Sequence, residues 1–421
     1  MNRFSITPAA VCALVLATPI AAQQRPAEPA QLSLQEVIVL ADSDQPRLLA
    51  FESDARASEA AAIAARSLPD LRITAGIQNF PIGGDDAFSP TSAVMTMYTI
   101  GVMREQVRRS SREADAARIL AEALVSRRQA SSAERSIERE AMIAWINAVE
   151  ARAKQRLLER LIADLGAGRE VIEAGVPTGS STPALALEAQ AEVGLAQARL
   201  AEARRAEARA RAELARWIGS AAERPLPESL PIIELPASPG DEPPAVAAHP
   251  QIQVALADQE VATRGIEVAR ETRKPDLSWS VTLGIRPEYG EMVSASVSLP
   301  LQTNRRNRQD RLVDAAQARA GAARLRIEDA RRELLSSYRA ALANYEGAAA
   351  EIEGIEAQVI PSLEAAFSAA EARYAGGGGT LDRPFDIVRR YVEVTMQLVE
   401  ARARQARAAA EILYVVGEDG R

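Results

Sequence analysis

The stretch LSWSVTLGIRPEYGEMVSASVSLPL, residues 277–301, decides how the rest of the chain is read. Leu277, Trp279, Val281, Leu283 and Ile285 alternate with Ser278, Ser280, Thr282 and Gly284. After the turn residues Arg286 to Gly290 the alternation resumes. Val293, Ala295, Val297 and Leu299 form one set, and Ser294, Ser296 and Ser298 the other. Successive side chains of a strand point to opposite faces, so this is a hairpin with one apolar and one small polar face. Each arm runs about ten residues, enough for a tilted strand to cross a bilayer with its apolar set against lipid. An antiparallel sheet lying on a soluble core produces the same alternation.

Residues 1–22 have the layout of a secretory leader. Arg3 opens it, an apolar run extends from Ala9 to Leu16, and Ile20-Ala21-Ala22 precedes Gln23. The run is shorter than the roughly 18 apolar residues that a membrane helix needs, and no later segment supplies them, so any crossing falls to strands. Cys12, the one cysteine, lies inside the leader behind Val11, where a lipid-anchor signal wants a small residue. The expectation is a cleaved leader, no lipid anchor, and a mature chain without disulfide or thiolate chemistry.

Aromatic residues make up 4% of the 421, too few to fill a globular core of that size. Alanine, leucine, arginine and glutamate dominate instead, the composition of long helices in close contact. The net charge is −7, with both signs interleaved along the helical segments, which argues against a nucleic-acid patch.

The chain in order reads as an internal duplication. After a Pro/Ala/Gln-rich stretch (23–31), a helix spans 33–67 with Ser33 as N-cap and Glu36 at the capping-box position. A first hairpin occupies 71–103 around a turn-rich loop containing Gly83-Gly84-Asp85-Asp86. A proline-free helix follows over 106–165, a break over 166–182, and a helix over 185–218 that closes at Gly219. Residues 220–244 form a proline-rich linker. Then helix (245–273), hairpin (277–301), helix (306–374), break (375–383) and helix (384–416, closing at Gly417) repeat the order, leaving a tail at 418–421. Pro46 in DQPRL answers Pro250 in AHPQI, and Pro69 in LPDL answers Pro275 in KPDL. The repeats are thus 23–219 and 245–417. Each brings one hairpin with open edges, and four strands cannot close a barrel, so other chains must complete them.

The two-copy order, the proline-led helices, VSLPL leaving the second hairpin, and GVPTGSSTPALALEAQ and YAGGGGTLDRPFDIVRRYVE at the helix breaks resemble the TolC-type outer membrane efflux family. The resemblance covers nearly the whole mature chain. It implies a mainly α fold with a small β part. In a homotrimer, three chains of four strands would form a twelve-stranded barrel in the outer membrane, and the long antiparallel helices a hollow α-barrel across the periplasm. The implied function is a passive exit duct of a tripartite efflux pump or type I secretion system, fed by a periplasmic adaptor and an inner-membrane pump. The alternative is a periplasmic helical adaptor or structural protein whose strands form a soluble domain.

No nucleophile elbow, phosphate loop or metal-ligand cluster is present, so neither an enzyme nor a cofactor is expected. His249, beside Pro250, reads as a surface or capping residue rather than a ligand. By the resemblance, the second break lies at the periplasmic aperture. Asp386 matches an acidic ring position, Asp382 lies one turn before it, and Arg389 replaces a second acid. Both aspartates also suit a helix N-terminus through the dipole alone. The tips that would dock an adaptor are Gly175, Val176, Pro177 and Thr178 at one break and Tyr374, Gly376, Gly377, Thr380 and Leu381 at the other. Met95, Met97 and Met103 share one parity, and Met292 begins the fourth strand. Thioethers bind soft cations, but methionine packed against lipid or within the barrel explains them equally, and the sequence leaves their face open.

Overall fold

The computed structural model describes residues 31–43, 45–85, 87–91, 95–233, 235, 243–286, 289–376 and 382–417. The expected leader, the tip residues Gly377, Thr380 and Leu381, and the 418–421 tail lie outside them. Among the described residues no helix is long and apolar enough to cross a membrane.

Ser33 caps α1 (Leu34–Ala41) through the expected capping box, accepting from the Glu36 N–H while Glu36 accepts from the Ser33 N–H. The Ser33 backbone N–H, then its hydroxyl and Arg224, hold the Glu36 carboxyl below the usual glutamate range. The helix does not continue to residue 67. It stops at Asp42, and α2 (Pro46–Arg66) starts afresh, because Pro46 offers no N–H and disfavours helical backbone in the residue before it. The second repeat breaks in the same way, α5 (Ala245–Ala248) giving way at His249 to α6 (Pro250–Glu271).

The first hairpin is β1 (Arg72–Gln78) with β2 (Met97–Gln106), so its second strand, whose alternation suggests 94–103, begins and ends three residues later. The start is set by the loop: Asn79 takes positive φ, its amide donates to Met95 O at 3.3 Å, and Thr96 donates to Asn79 O at 3.1 Å. The extension is long-range, since Arg104 to Gln106 pair with Trp279 to Leu277. The second hairpin is β3 (Leu277–Arg286) with β4 (Tyr289–Ser298), which leaves Leu299 one residue beyond the ladder, exposed in extended chain ahead of Pro300.

The first long helix, α3 (Arg109–Gly175), contains 67 residues and is about 100 Å long. The expected break from 166 is absent, because buried Leu165 and Ile172 carry the apolar stripe through Gly166 and Gly168. Two helical glycines cost about 2 kcal/mol, which that packing offsets. The break is confined to 176–182, ahead of α4 (Pro183–Ile218). Its counterpart in the second repeat is not one helix over 306–374. It runs as α7 (Gln309–Gly354), a wide π-type turn (Ile355–Val359) and α8 (Ile360–Ala375). Pro361 explains the turn, since its missing N–H and its ring cannot be accommodated in an unbroken ladder. The last helix, α9 (Asp382–Val416), starts two residues before the expected 384, with Pro384 in a first turn that needs no N–H from it.

The sheet order is β1-β2-β3-β4, every pair antiparallel. Below it the helices follow the same order, α2 on α3, α3 on α6, α6 on α7; toward the other end α4 lies on α3, and α3 and α7 on α9. The strands and the helices below them therefore form one layer with two open edges. The largest core joins α1, α3 and α4 with Ala403, Ala406 and Ala410 of α9, and a second lies within α5, α6, α7 and α9. Trp145 in α3 is buried against Val37, Ile146 and Leu214, with its indole N–H donating to Leu32 O at 3.0 Å. Tyr338 in α7 is buried against Val246, Ile252 and Ile412.

Candidate functional site: strand faces, aperture and tips

The register assigns the strand faces. Ile73, Val102, Val281 and Ala295 form one row across the sheet, and Ala75, Ile100, Leu283 and Val293 the next, with Trp279 opposite Val297 and Ile285 opposite Tyr98 on the same side. The other face carries Thr74, Gly101, Thr282 and Ser294 in one row and Arg72, Met103, Ser280 and Ser296 in another. It is tightly fitted at Gly101, where a Cβ would lie 2.6 Å from Thr282 Oγ1 and 3.0 Å from Val281 O. Met97, Met103 and Met292 belong to this small polar face, the Met97 thioether lying over Gly284; Met95 precedes β2 and is exposed. Among the described residues no cluster of His, Cys, Asp or Glu is arranged to hold a metal ion.

At the far end of the helical layer, α8 buries no side chain and rests on α9. A cavity of about 400 Å³ separates this pair from α3, bordered by Leu157, Phe367, Val388 and Tyr391. The expected aperture residues sit in the first turns of α9. Asp386 is exposed and accepts from Arg389 at 3.2 Å; the same guanidinium donates to Glu192 on α4 at 3.2 Å. Arg389 thus ties α9 to α4. Nothing in local spacing points to Glu192. Its position in the repeat does: Glu192 lies 27 residues before Gly219 (219 − 192) and Arg389 lies 28 before Gly417 (417 − 389), at matching places of matching helices.

The α3–α4 tip is organised by one carbonyl. Gly175 O accepts from Ser180 N (3.1 Å), Ser181 N (3.2 Å) and Thr178 Oγ1 (2.9 Å), and Gly179 supplies the positive φ that closes the turn. A Cβ on Gly175 would lie 2.6 Å from Ser181 Oγ and 2.8 Å from Ser180 Oγ. Gly175→Val is therefore expected to open the tip, with faster proteolysis between 176 and 182 and an unchanged melting temperature for the rest of the molecule. An unaltered cleavage rate would mean that the turn accommodates a side chain.

His249 is not a surface residue. It is buried, its Nδ1 accepts the Gln251 N–H at 3.2 Å and so caps α6, and its Nε2 faces Tyr414 O at 3.1 Å. Burial pushes its pKa down to about 4.

A layer of strands continued by long helices in the same order is shared with solved structures of outer membrane channels. The structure matches that of CusC with TM-score 0.76 and 15% identity over 92% of this chain and 93% of that one. It matches the outer membrane protein VceC of Vibrio cholerae with TM-score 0.71 and 18% identity (91% and 96% covered). The MtrE outer membrane channel of Neisseria gonorrhoeae matches with TM-score 0.70 and 20% identity (91% and 88% covered). Residues 244–418 match the sequence model of the outer membrane efflux protein family. A comparison with curated protein sequences finds no significant match.

Proposed function

We propose that three copies of the chain form the outer-membrane exit duct of a tripartite efflux assembly, a passive conduit from a periplasmic adaptor and an inner-membrane pump to the exterior. The observation that carries this reading is the four-stranded sheet with one apolar and one small polar face, open at both edges and continued by a helical layer in the same order. Four strands leave unpaired amides that lipid cannot satisfy, and eight would enclose a lumen filled by side chains; twelve leave a passage. The Gly175–Thr178 tip and the α8–α9 tip around Tyr374 and Gly376 are the surfaces for the adaptor.

At the aperture, Asp386 would place three carboxylates around the axis, with Arg389 shared between Asp386 and Glu192, a local field that favours cations. The test is conductance of the purified protein in planar bilayers, with reversal potentials under a salt gradient. Wild type should conduct with cation preference, Asp386→Asn should lose that preference, and Arg389→Gln should strengthen it. If all three share one reversal potential, the carboxylates only favour their helix N-terminus and the charged aperture is wrong. Extraction without detergent, and no conductance, would favour a periplasmic adaptor instead.

A further inference from the structure

The two repeats are clasped where strands meet helices. Arg108, the residue preceding α3, donates through its backbone N–H and Nε to Asp276 Oδ1, both at 2.9 Å. It also reaches Glu271 Oε2 and Glu271 O, each at 2.6 Å, and Lys274 O at 2.9 Å. The segment leaving the first hairpin thereby grips the segment leading into the second. The Ser110 hydroxyl, followed by Arg108 and Lys274, holds the Glu271 carboxyl below the usual glutamate range.

The same segments also bind back within their own repeat, at matching carbonyls. Arg112 donates to Arg66 O in the first repeat and Gln302 to Thr272 O in the second, three residues before Pro69 and Pro275 respectively. Asp70, which follows Pro69 as Asp276 follows Pro275, is exposed and has no partner among the described residues. The guanidinium of Arg308, which precedes α7 as Arg108 precedes α3, is likewise exposed and unpartnered among the described residues, while its backbone N–H donates to Asn304 O at 3.1 Å. Asp70 belongs to the outer edge formed by α2 and β1, and Arg308 to the opposite edge formed by β4 and α7.

We infer that Arg308 of one copy clasps Asp70 of the next, repeating between chains the Arg108–Asp276 clasp within the chain. The partner of this edge is a second copy of the protein, and the inference rests on the closed trimer proposed above. Head-to-tail closure brings β4 beside β1 and α7 beside α2, as β2 lies beside β3 and α3 beside α6. The clasp then recurs at every junction around the ring, within and between chains alternately. Its guanidinium–carboxylate chemistry suits Arg308, with Arg306 next to it as a second cation.

The test is residue-pair cross-linking with a charge exchange. Asp70→Cys combined with Arg308→Cys, in a chain whose one native cysteine is Cys12, should yield covalent dimer and trimer with a short bismaleimide, while either single variant stays monomeric on a denaturing gel. Asp70→Arg alone and Arg308→Asp alone should each lower the temperature at which the detergent-resistant trimer dissociates, and the double exchange should recover most of the loss. A stable trimer that does not cross-link, or an exchange without recovery, would overturn the clasp. A monomer in mild detergent for the wild type would overturn the trimer itself.

Discussion

Lysine in place of Val281 is expected to abolish most of the assembled protein, whereas lysine at Thr282, one residue along, is expected to be tolerated. Val281 sits in the row Ile73, Val102, Val281 and Ala295, near the middle of its strand. A lysine on the lipid face at the bilayer midplane costs about 2–4 kcal/mol, and the trimer would carry it three times. Thr282 lies in the row with Thr74, Gly101 and Ser294, so its replacement extends into water. Urea unfolding in lipid vesicles and the yield of heat-resistant trimer both read the difference. Equal losses at the two positions would mean that both faces are enclosed by protein, as in a soluble sheet.

Acidification is expected to loosen the joint at His249. In the folded chain its pKa is about 4, against 6.5 for the unperturbed side chain, so the unfolded chain binds the proton first. The stability from the neutral ring is complete above pH 6.5, falls as pH drops through that value, and is fully lost below pH 4. The difference corresponds to about 3 kcal/mol per chain. The cause is local. Protonated Nδ1 cannot accept the Gln251 N–H, and the new cation faces Arg135 and Arg139, with Glu411 already engaged by Arg139 at 3.3 Å. His249→Asn should be less stable at pH 7, since asparagine caps the helix but does not reach Tyr414 O, and should show a flatter dependence of unfolding free energy on pH between 6.5 and 4. A variant that keeps the full wild-type slope would place the titration on other groups.

The strand faces were legible in the sequence because alternation is a short-range periodicity. Parity along 277–285 assigns a face without knowledge of partners, and Pro69 and Pro275 mark equivalent points by identity alone. The helix bounds failed where tertiary packing overrides local signals, as at Gly166 and Gly168. They also failed where a proline acts at a distance, Pro361 opening a π-type turn behind it. The surroundings of Asp386 were not legible. Arg389 looked like a missing acid until Glu192, 197 residues away, supplied its partner. The Arg108 clasp was invisible for the same reason, since Asp276 lies 168 residues downstream. The methionine faces needed the register, which the first strand's loop shifts.

The interrupted helix makes the two halves unequal in stiffness. α3 is a strut without defects over about 100 Å, while the corresponding member of the second half carries one compliant turn at Ile355–Val359. Beyond that turn α8 extends 16 residues, a lever of about 24 Å. A rotation of about 10° at its root displaces the far end by about 4 Å, the breadth of a small side chain. Bending applied anywhere along this half collects at these five residues, so α8 swings while α3 stays straight.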